Sequence, residues 1–333
     1  MLDPDAIAAL QKGRHLLAFS GGVDSTALYH LLKERRIPCD IALVNYHTRP
    51  QSDEEEAYAR SLAKEDDRRC FIHHARLPKE NFEHEARRVR YAFFEEILER
   101  EGYDTLLTAH QLDDMLEWAL MQLCRGAGAV ELVGMVPVED RKGYRLVRPL
   151  LFTPKRRLLD YLRNHGIRYF QDASNRSFDH TRNRFRYEAA SFLMEECSAG
   201  IARSFRYLVE DKRGLMPPTT PLFEYEELRI LSHPSDRRAA LRLLSKALKA
   251  LGYLASRHQL EEIWHKQDGV LGAKWVVTFT DGTLWIAPYR KTVMPKKFKE
   301  RCRRARIPAK IRPYLFETEG LERLLSFLKT FSS

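Results

Sequence analysis

The 333-residue sequence has no apolar run of about 18 or more residues, so no membrane-spanning helix is expected. It has few cysteines, and its five (Cys39, Cys70, Cys124, Cys197 and Cys302) form no C-x-x-C pair, which speaks against a zinc site or a redox dithiol. The start, MLDPDAIAALQKGRH, carries acids where a signal peptide would be basic, and a cytoplasmic location is expected. Internal repeats and low-complexity tracts are also lacking. Acidic residues are in deficit: 46 Asp and Glu against 56 Lys and Arg leave a formal charge of +10. With a pI near 9.3, that balance suits a polyanionic partner.

The basic excess is concentrated. Between Lys291 and Arg312 lie ten Lys or Arg and a single acid, Glu300, so nearly all of the net charge falls in one C-terminal segment. A solvated basic tail and a phosphate-binding surface both fit such a cluster.

Hydrophobic residues make up 44% of the chain and aromatics 11%, enough for a large core, and the length suits two domains. The first half alternates short apolar runs with amphipathic stretches, the pattern of βαβ units around a parallel sheet. Strands are expected at 15–19, 41–45, 70–73 and 105–109. Helices are expected at 26–36, at 52–64 behind a capping box Ser52-x-x-Glu55, and at 82–100. Thr153 and Pro154 read as the N-cap and first-turn proline of a helix running to about His165, and a longer helical region covers about 182–211. The segment from Gly214 to Pro221 breaks helix and strand alike and reads as a linker. Domains are therefore expected at 1–215 and 222–333. The second reads as helices at 236–251 and 257–266, then a hairpin with strands at 274–280 and 284–287 turning through Asp281-Gly282.

The sharpest signal is Ser20-Gly21-Gly22-Val23-Asp24-Ser25, between an apolar strand and a helix. Glycines let the backbone turn close to a phosphate, while hydroxyls and the first N–H groups of the helix face the anion. An aspartate beside phosphate makes sense if it holds magnesium. The spacing and lysine of a Walker A loop are missing, which disfavours γ-phosphate transfer. The loop resembles the S-G-G-x-D-S signature of PP-loop pyrophosphatases, which cleave ATP between the α and β phosphates. On that resemblance Ser20, Gly21, Gly22, Val23, Asp24 and Ser25 bind ATP.

Further motifs narrow the family. Thr108-Ala109-His110-Gln111-Leu112-Asp113-Asp114-Met115-Leu116-Glu117 resembles the T-A-H-x-x-D-D-x-x-E motif of tRNA(Ile)-lysidine synthetases, and Arg125-Gly126-Ala127-Gly128 their R-G-x-G. Ala86-Arg87-Arg88-Val89-Arg90-Tyr91 resembles their A-R-x-x-R-Y, and Arg148-Pro149-Leu150-Leu151 also fits. Asp172-Ala173-Ser174-Asn175, Arg182-Asn183 and Arg186 resemble D-x-S-N and R-N-x-x-R. The ordered set spans about residues 15 to 187. Two departures stand out: Tyr46 replaces the histidine of V-N-H-x-L-R, leaving Arg49 as its clean match, and Trp118 stands where threonine is common. The chain resembles the compact form of the family.

Read from the residues, His110, Asp113, Asp114 and Glu117 fall at i, i+3, i+4, i+7, one polar stripe at the C-terminal edge of the sheet. Leu112, Leu116, Ala119, Leu120 and Leu123 form the expected buried face. With the phosphate loop, Asp24, Asp114 and Glu117 are expected magnesium ligands, and Asp113 either another ligand or a proton acceptor. His110 is expected at the α-phosphate or the nucleotide. Arg125 is expected to stabilise phosphate charge, with Gly126 beside it.

The resemblance implies a Rossmann-like PP-loop (adenine nucleotide alpha hydrolase-like) parallel sheet with helices on both faces, plus a smaller C-terminal α+β domain. It also implies two-step chemistry, using ATP and Mg2+. The C2 oxygen of cytidine 34 in the CAU-anticodon isoleucine tRNA is adenylated, and free lysine then displaces AMP through its ε-amine. Glu83, Glu85 and Asp113 are candidates for accepting the amine proton. Arg87, Arg90, Arg182, Lys296, Lys297, Arg303 and Arg304 are expected tRNA contacts. The oligomeric state, a homodimer included, is left open. The rival readings are a PP-loop tRNA thiolase, disfavoured by the cysteine pattern, an amidotransferase-like synthetase, which would not need the basic segment, and a catalytically silent nucleic-acid-binding protein, against which the complete acidic stripe argues.

Overall fold

The computed structural model describes residues 1–78, 81–171, 184–280 and 282–331. The chain divides into two compact units, Met1–Lys212 and Arg213–Ser333.

The first unit runs α1 (Pro4–Ala8), β1 (His15–Ala18), α2 (Val23–Glu34), β2 (Asp40–Asn45), α3 (Gln51–Glu65), β3 (Cys70–His74), α4 (Phe82–Glu101), β4 (Thr105–Leu107), α5 (Leu112–Leu123) and α6 (Ala129–Leu132). Then come β5 (Val138–Arg141), β6 (Tyr144–Val147), α7 (Lys155–Asn164), a π-helical turn (Arg186–Ala190) and α8 (Ser191–Leu215). Its sheet has the order β3-β2-β1-β4-β6-β5, parallel except for the antiparallel edge strand β5.

Side chains alternate across a strand, and here the alternation sorts them into two cores. Leu17, Ile41, Leu43, Leu107 and Val147 pack with α2, α3 and α7 on one face. Leu16, Ala42, Leu106 and Leu146 pack with α4 on the other. Burial on both faces explains why these strands read as continuous apolar runs. A third cluster joins α5 to α8 through Leu112, Met115, Met194 and Phe205.

Each departure from the expected elements has an identifiable cause. Helix α2 begins at Val23, three residues early, because Gly22 already serves as its N-cap. Ser52 lies inside α3, its hydroxyl donating to Arg49 O, so it is not the expected cap. Thr153 does not cap α7 either. Its hydroxyl donates to Met1 O, while the first free N–H of the helix, on Lys155, goes to Asp113 Oδ2 at 3.0 Å. The β5–β6 hairpin was not expected; it turns at Lys142-Gly143, where Gly143 has φ +88°. Leu123, expected on the buried face of α5, is 61% exposed because the helix ends there.

The second unit contains β7 (Phe223–Tyr225), β8 (Leu228–Ser232), α9 (Arg237–Ala250), α10 (Arg257–Lys266), β9 (Asp268–Leu271), β10 (Trp275–Thr280), β11 (Thr283–Pro288), α11 (Lys296–Arg304), α12 (Arg312–Glu317) and α13 (Leu321–Phe331). Its sheet is antiparallel, in the order β7-β8-β11-β10-β9. The expected β10–β11 hairpin is present, with Gly282 at φ +71°, while Asp281 lies outside the described residues. Val277, Phe279, Leu284 and Ile286 pack under α9 and α10. Val276, Trp285 and Ala287 pack under α11 to α13.

The basic segment is therefore not a tail. Phe298 and Cys302, four residues apart, dock α11 on that second core, and the lysines and arginines occupy its outer face. Lys296, Lys297, Arg303 and Arg304 are all exposed; the two arginines share Glu300 within the helix.

Candidate active site

The glycine-rich loop leaves the C-terminal end of β1 and becomes the first turn of α2. Gly21 takes φ +73°, a conformation that favours glycine, and a Cβ there would meet Phe170 Cδ2 at 3.2 Å and Glu55 Cβ at 3.4 Å. The loop is clasped from the side, where Phe170 N donates to Gly21 O at 2.9 Å. Within it, Ser25 Oγ accepts from Ser20 N at 3.2 Å and lies 3.2 Å from Gly22 O. Val23, Asp24 and Ser25 open α2, whose first-turn N–H groups have no intrahelical acceptors and carry the positive end of the helix dipole.

Asp24 is the unusual member. Its Oδ1 is buried with no hydrogen-bond partner, and its Oδ2 is 4.0 Å from Lys155 Nζ. Burial pushes its carboxyl up to about 7; Asp114 and Asp113 push the same way, and Lys155 opposes them.

The two neighbouring acids come from α5. Gln111 Oε1 accepts from Asp113 N at 2.7 Å, and Asp114 Oδ2 accepts from Gln111 N at 3.1 Å, a reciprocal cap that fixes the Asp114 carboxylate and the Asp113 backbone at the start of the helix. Burial raises the Asp113 pKa, against the opposing hydrogen bond from Lys155 N. His110 precedes the helix rather than lying on it, its Nδ1 2.9 Å from Thr108 Oγ1. Three helices, α2, α5 and α7, thus contribute their N-terminal residues to one group of charges.

Glu117 departs from expectation. It is 1% exposed, and Arg186 of the π-helical turn reaches it with Nε at 2.5 Å from Oε1 and Nη2 at 3.2 Å from Oε2. Both oxygens face a guanidinium, so the expected metal ligand is instead half of a bidentate ion pair. Arg125 and Gly126 lie past the C-terminal end of α5, roughly 18 Å along the helix from Asp113 at 1.5 Å per residue. The structure does not bring them to the loop. Lys155 and Arg186 supply positive charge there instead.

Arg87 and Arg90 are exposed on α4, Arg87 lying 4.8 Å over the Tyr91 ring. Tyr46, the departure from the family pattern, donates to Ala86 O at 2.7 Å and so ties the end of β2 to α4. Glu83 is exposed on α4 and Glu85 pairs with Arg88, which leaves Asp113 as the candidate proton acceptor near the loop. Arg182 and the residues of D-x-S-N, Asp172 to Asn175, lie outside the described residues.

The donor set can be tested for magnesium. Among the described residues no group of three or more His, Cys, Asp or Glu is placed to hold a metal ion. An oxygen without a partner on Asp24, beside the carboxylates of Asp113 and Asp114, nevertheless fits a hard cation that takes one or two protein carboxylates and completes its shell with phosphate oxygens and water.

A family model described as a PP-loop domain matches residues 4–192. The chain is 44% identical over 319 residues to a tRNA(Ile)-lysidine synthase of Wolinella succinogenes, covering 95% of this chain and 96% of that one. It is 39% identical over 317 residues to the tRNA(Ile)-lysidine synthase of Campylobacter jejuni strain RM1221, covering 94% and 95%. The corresponding protein of Helicobacter pylori strain J99 is 40% identical over 310 residues, with coverage of 92% and 90%.

Proposed function

Because this chain belongs to the tRNA(Ile)-lysidine synthase family of PP-loop proteins, we propose that it joins free lysine to cytidine 34 of the CAU-anticodon isoleucine tRNA at the expense of ATP. The observation that carries the chemistry is the Asp24 carboxylate at the head of α2, with one oxygen unpartnered and Asp113, Asp114 and Lys155 around it.

In the first step the C2 oxygen of the cytidine attacks the α-phosphorus and pyrophosphate leaves. In the second, the lysine ε-amine attacks C2 and AMP departs with that oxygen; the modified base then pairs with A rather than G. The protein's part is to hold the reactants in line and to balance charge. Ser20 to Ser25 cradle the phosphates, and Asp24 and Asp114 would hold magnesium, which neutralises triphosphate charge. Burial makes Asp113 a better proton acceptor for the amine than an exposed carboxylate would be. His110, three residues past the end of β4, is our candidate for contacting the nucleotide.

Two of the five cysteines offer the thiolase reading nothing. Burial pushes the Cys39 thiol up to about 12 and Cys70 up to about 11, which suppresses the thiolate in both. No helix among the described residues is long and apolar enough to cross a membrane, in keeping with a proposed cytoplasmic location.

We assign residues 1–215 to catalysis and 222–333 to tRNA binding. The outer face of α11 supplies phosphate contacts to the tRNA, and Arg87, Arg90 and Arg182 contact the tRNA or the bound nucleotide. Replacing Lys296, Lys297, Arg303 and Arg304 together by Gln is expected to raise KM for tRNA about 10- to 100-fold at physiological salt and to flatten its salt dependence, with kcat preserved. Steady-state kinetics across a salt series checks this. Normal tRNA affinity with a collapsed kcat would place α11 in the catalytic machinery instead. The overall reading is tested by lysine incorporation into unmodified tRNA transcripts, with ATP and magnesium each omitted in turn.

A further inference from the structure

Lys155 belongs to none of the motifs quoted above, yet among the described residues it is a cation within ion-pair range of the phosphate loop carboxylate. It is the first residue of α7, and its backbone N–H is committed to Asp113 Oδ2 at 3.0 Å. Its ammonium lies 4.0 Å from Asp24 Oδ2, too long for a hydrogen bond, and the side chain is 40% exposed. The backbone is therefore anchored at the acidic group while the charged end stays free to move. The other cation acting on Asp24, Arg186, has its guanidinium engaged with Glu117.

We propose that Lys155 binds the pyrophosphate leaving group, its ammonium moving from Asp24 in the ATP-free protein to the β- and γ-phosphoryl oxygens when ATP is bound. The inference rests on the adenylation chemistry proposed above. A triphosphate brought up to Asp24, Asp113 and Asp114 adds several negative charges to a group with little compensation of its own. A cation on Asp24 neutralises the carboxylate that stands within ion-pair range of the ammonium among the described residues, and phosphate oxygens then become its better partner. During adenylation the bond from the α-phosphorus to the bridging oxygen breaks, and its electron pair stays on that oxygen, while the cytidine C2 oxygen bonds to phosphorus. Negative charge therefore accumulates on the departing pyrophosphate. Lys155 stays protonated throughout and transfers no proton; it offers a mobile point charge where that charge grows.

A purely structural Lys155, tying α7 to α2 through Asp24, makes a different prediction, because it would favour no part of the nucleotide over another. Calorimetry on the full chain with magnesium pyrophosphate, and separately with AMP, distinguishes the two. Lys155→Met keeps the backbone hydrogen bond to Asp113 and is expected to fold. Its Kd for pyrophosphate should rise about 10- to 100-fold, the range for losing one charge-assisted hydrogen bond, with Kd for AMP changing less than about threefold. Lys155→Arg should recover part of the pyrophosphate affinity, and kcat for tRNA-dependent turnover should fall in Lys155→Met more than KM for ATP rises. Unchanged pyrophosphate affinity, or equal weakening for pyrophosphate and AMP, overturns the assignment. Direct binding does not depend on the tRNA reaction. Wild-type protein that binds pyrophosphate through Lys155 but never modifies tRNA would sink the lysidine reading and leave this one standing.

Discussion

Asp24→Asn protein is expected to fold, to lose about 10³-fold or more in ATP-dependent turnover, and yet to be more stable than the wild type above neutral pH. The loss of activity follows from removing an anionic oxygen that fits magnesium at the head of α2. The gain in stability follows from the direction of the pKa shift. The Asp24 carboxyl is pushed up to about 7 in the folded chain against an ordinary value of 3.8, so the folded state holds its proton more tightly than the unfolded state does. Ionising Asp24 therefore opposes folding. The associated destabilisation is absent below about pH 4, grows between about 4 and 7, and is complete above about 7. With 28% of the side chain exposed, solvent screens part of this penalty and leaves on the order of 2 kcal/mol. Thermal melts of both proteins without ligand at pH 4 and pH 8 test it. Equal Tm values at pH 8 would mean that the carboxylate is better solvated than its surroundings imply, and full turnover in the variant would remove Asp24 from the site.

Breaking the ion pair between Glu117 and Arg186 should have the largest effect on stability. Glu117→Ala leaves a partly buried guanidinium, 28% exposed, without its bidentate carboxylate, and Arg186→Ala leaves a carboxylate that is 1% exposed without its cation. Each should cost about 3 kcal/mol, a fall in Tm of roughly 6–12 °C for a unit of this size. The double replacement Glu117→Leu with Arg186→Met should recover most of the stability, because two apolar side chains fill the space without stranding a charge. Turnover should stay depressed by at least about 10²-fold, since Arg186 also acts electrostatically on Asp24 and Asp114. Recovery of both stability and activity in the double variant would reduce the pair to a structural clamp between α5 and the π-helical turn.

The parts of this molecule that the sequence makes legible are those governed by local rules. Apolar runs of four residues, 16–19 and 41–44, mark β1 and β2, because strands buried on two faces have few polar positions to interrupt them. The phosphate loop is legible for a similar reason: its glycines, hydroxyls and aspartate are contiguous and answer to a single turn. What stays hidden depends on partners distant in sequence. Thr153 looks like a cap and Asp113 looks purely catalytic, but Asp113, 42 residues away, accepts the first α7 N–H while Thr153 serves the N-terminus. Glu117 falls in register with Asp113 and Asp114, and its spacing carries no sign that Arg186, 69 residues on, takes both oxygens. Arg125 was expected at the phosphates from its motif alone; the length of α5 carries it away. Helix α11 was within reach: Phe298 and Cys302 stand four apart, an apolar stripe masked by the charge around it.

At the acidic group around Asp24, ATP adenylates a tRNA base for capture by lysine in the reaction proposed above. It is tested most directly by incubating the purified protein with radiolabelled lysine, ATP, magnesium and an unmodified CAU-anticodon isoleucine tRNA transcript. Label in the tRNA and released pyrophosphate are counted together. One lysine should be incorporated for each pyrophosphate released, with no label when ATP, magnesium or tRNA is omitted, and none with Asp24→Asn. Pyrophosphate released without lysine entering the tRNA, or label entering tRNA at undiminished rate in Asp24→Asn, would contradict it.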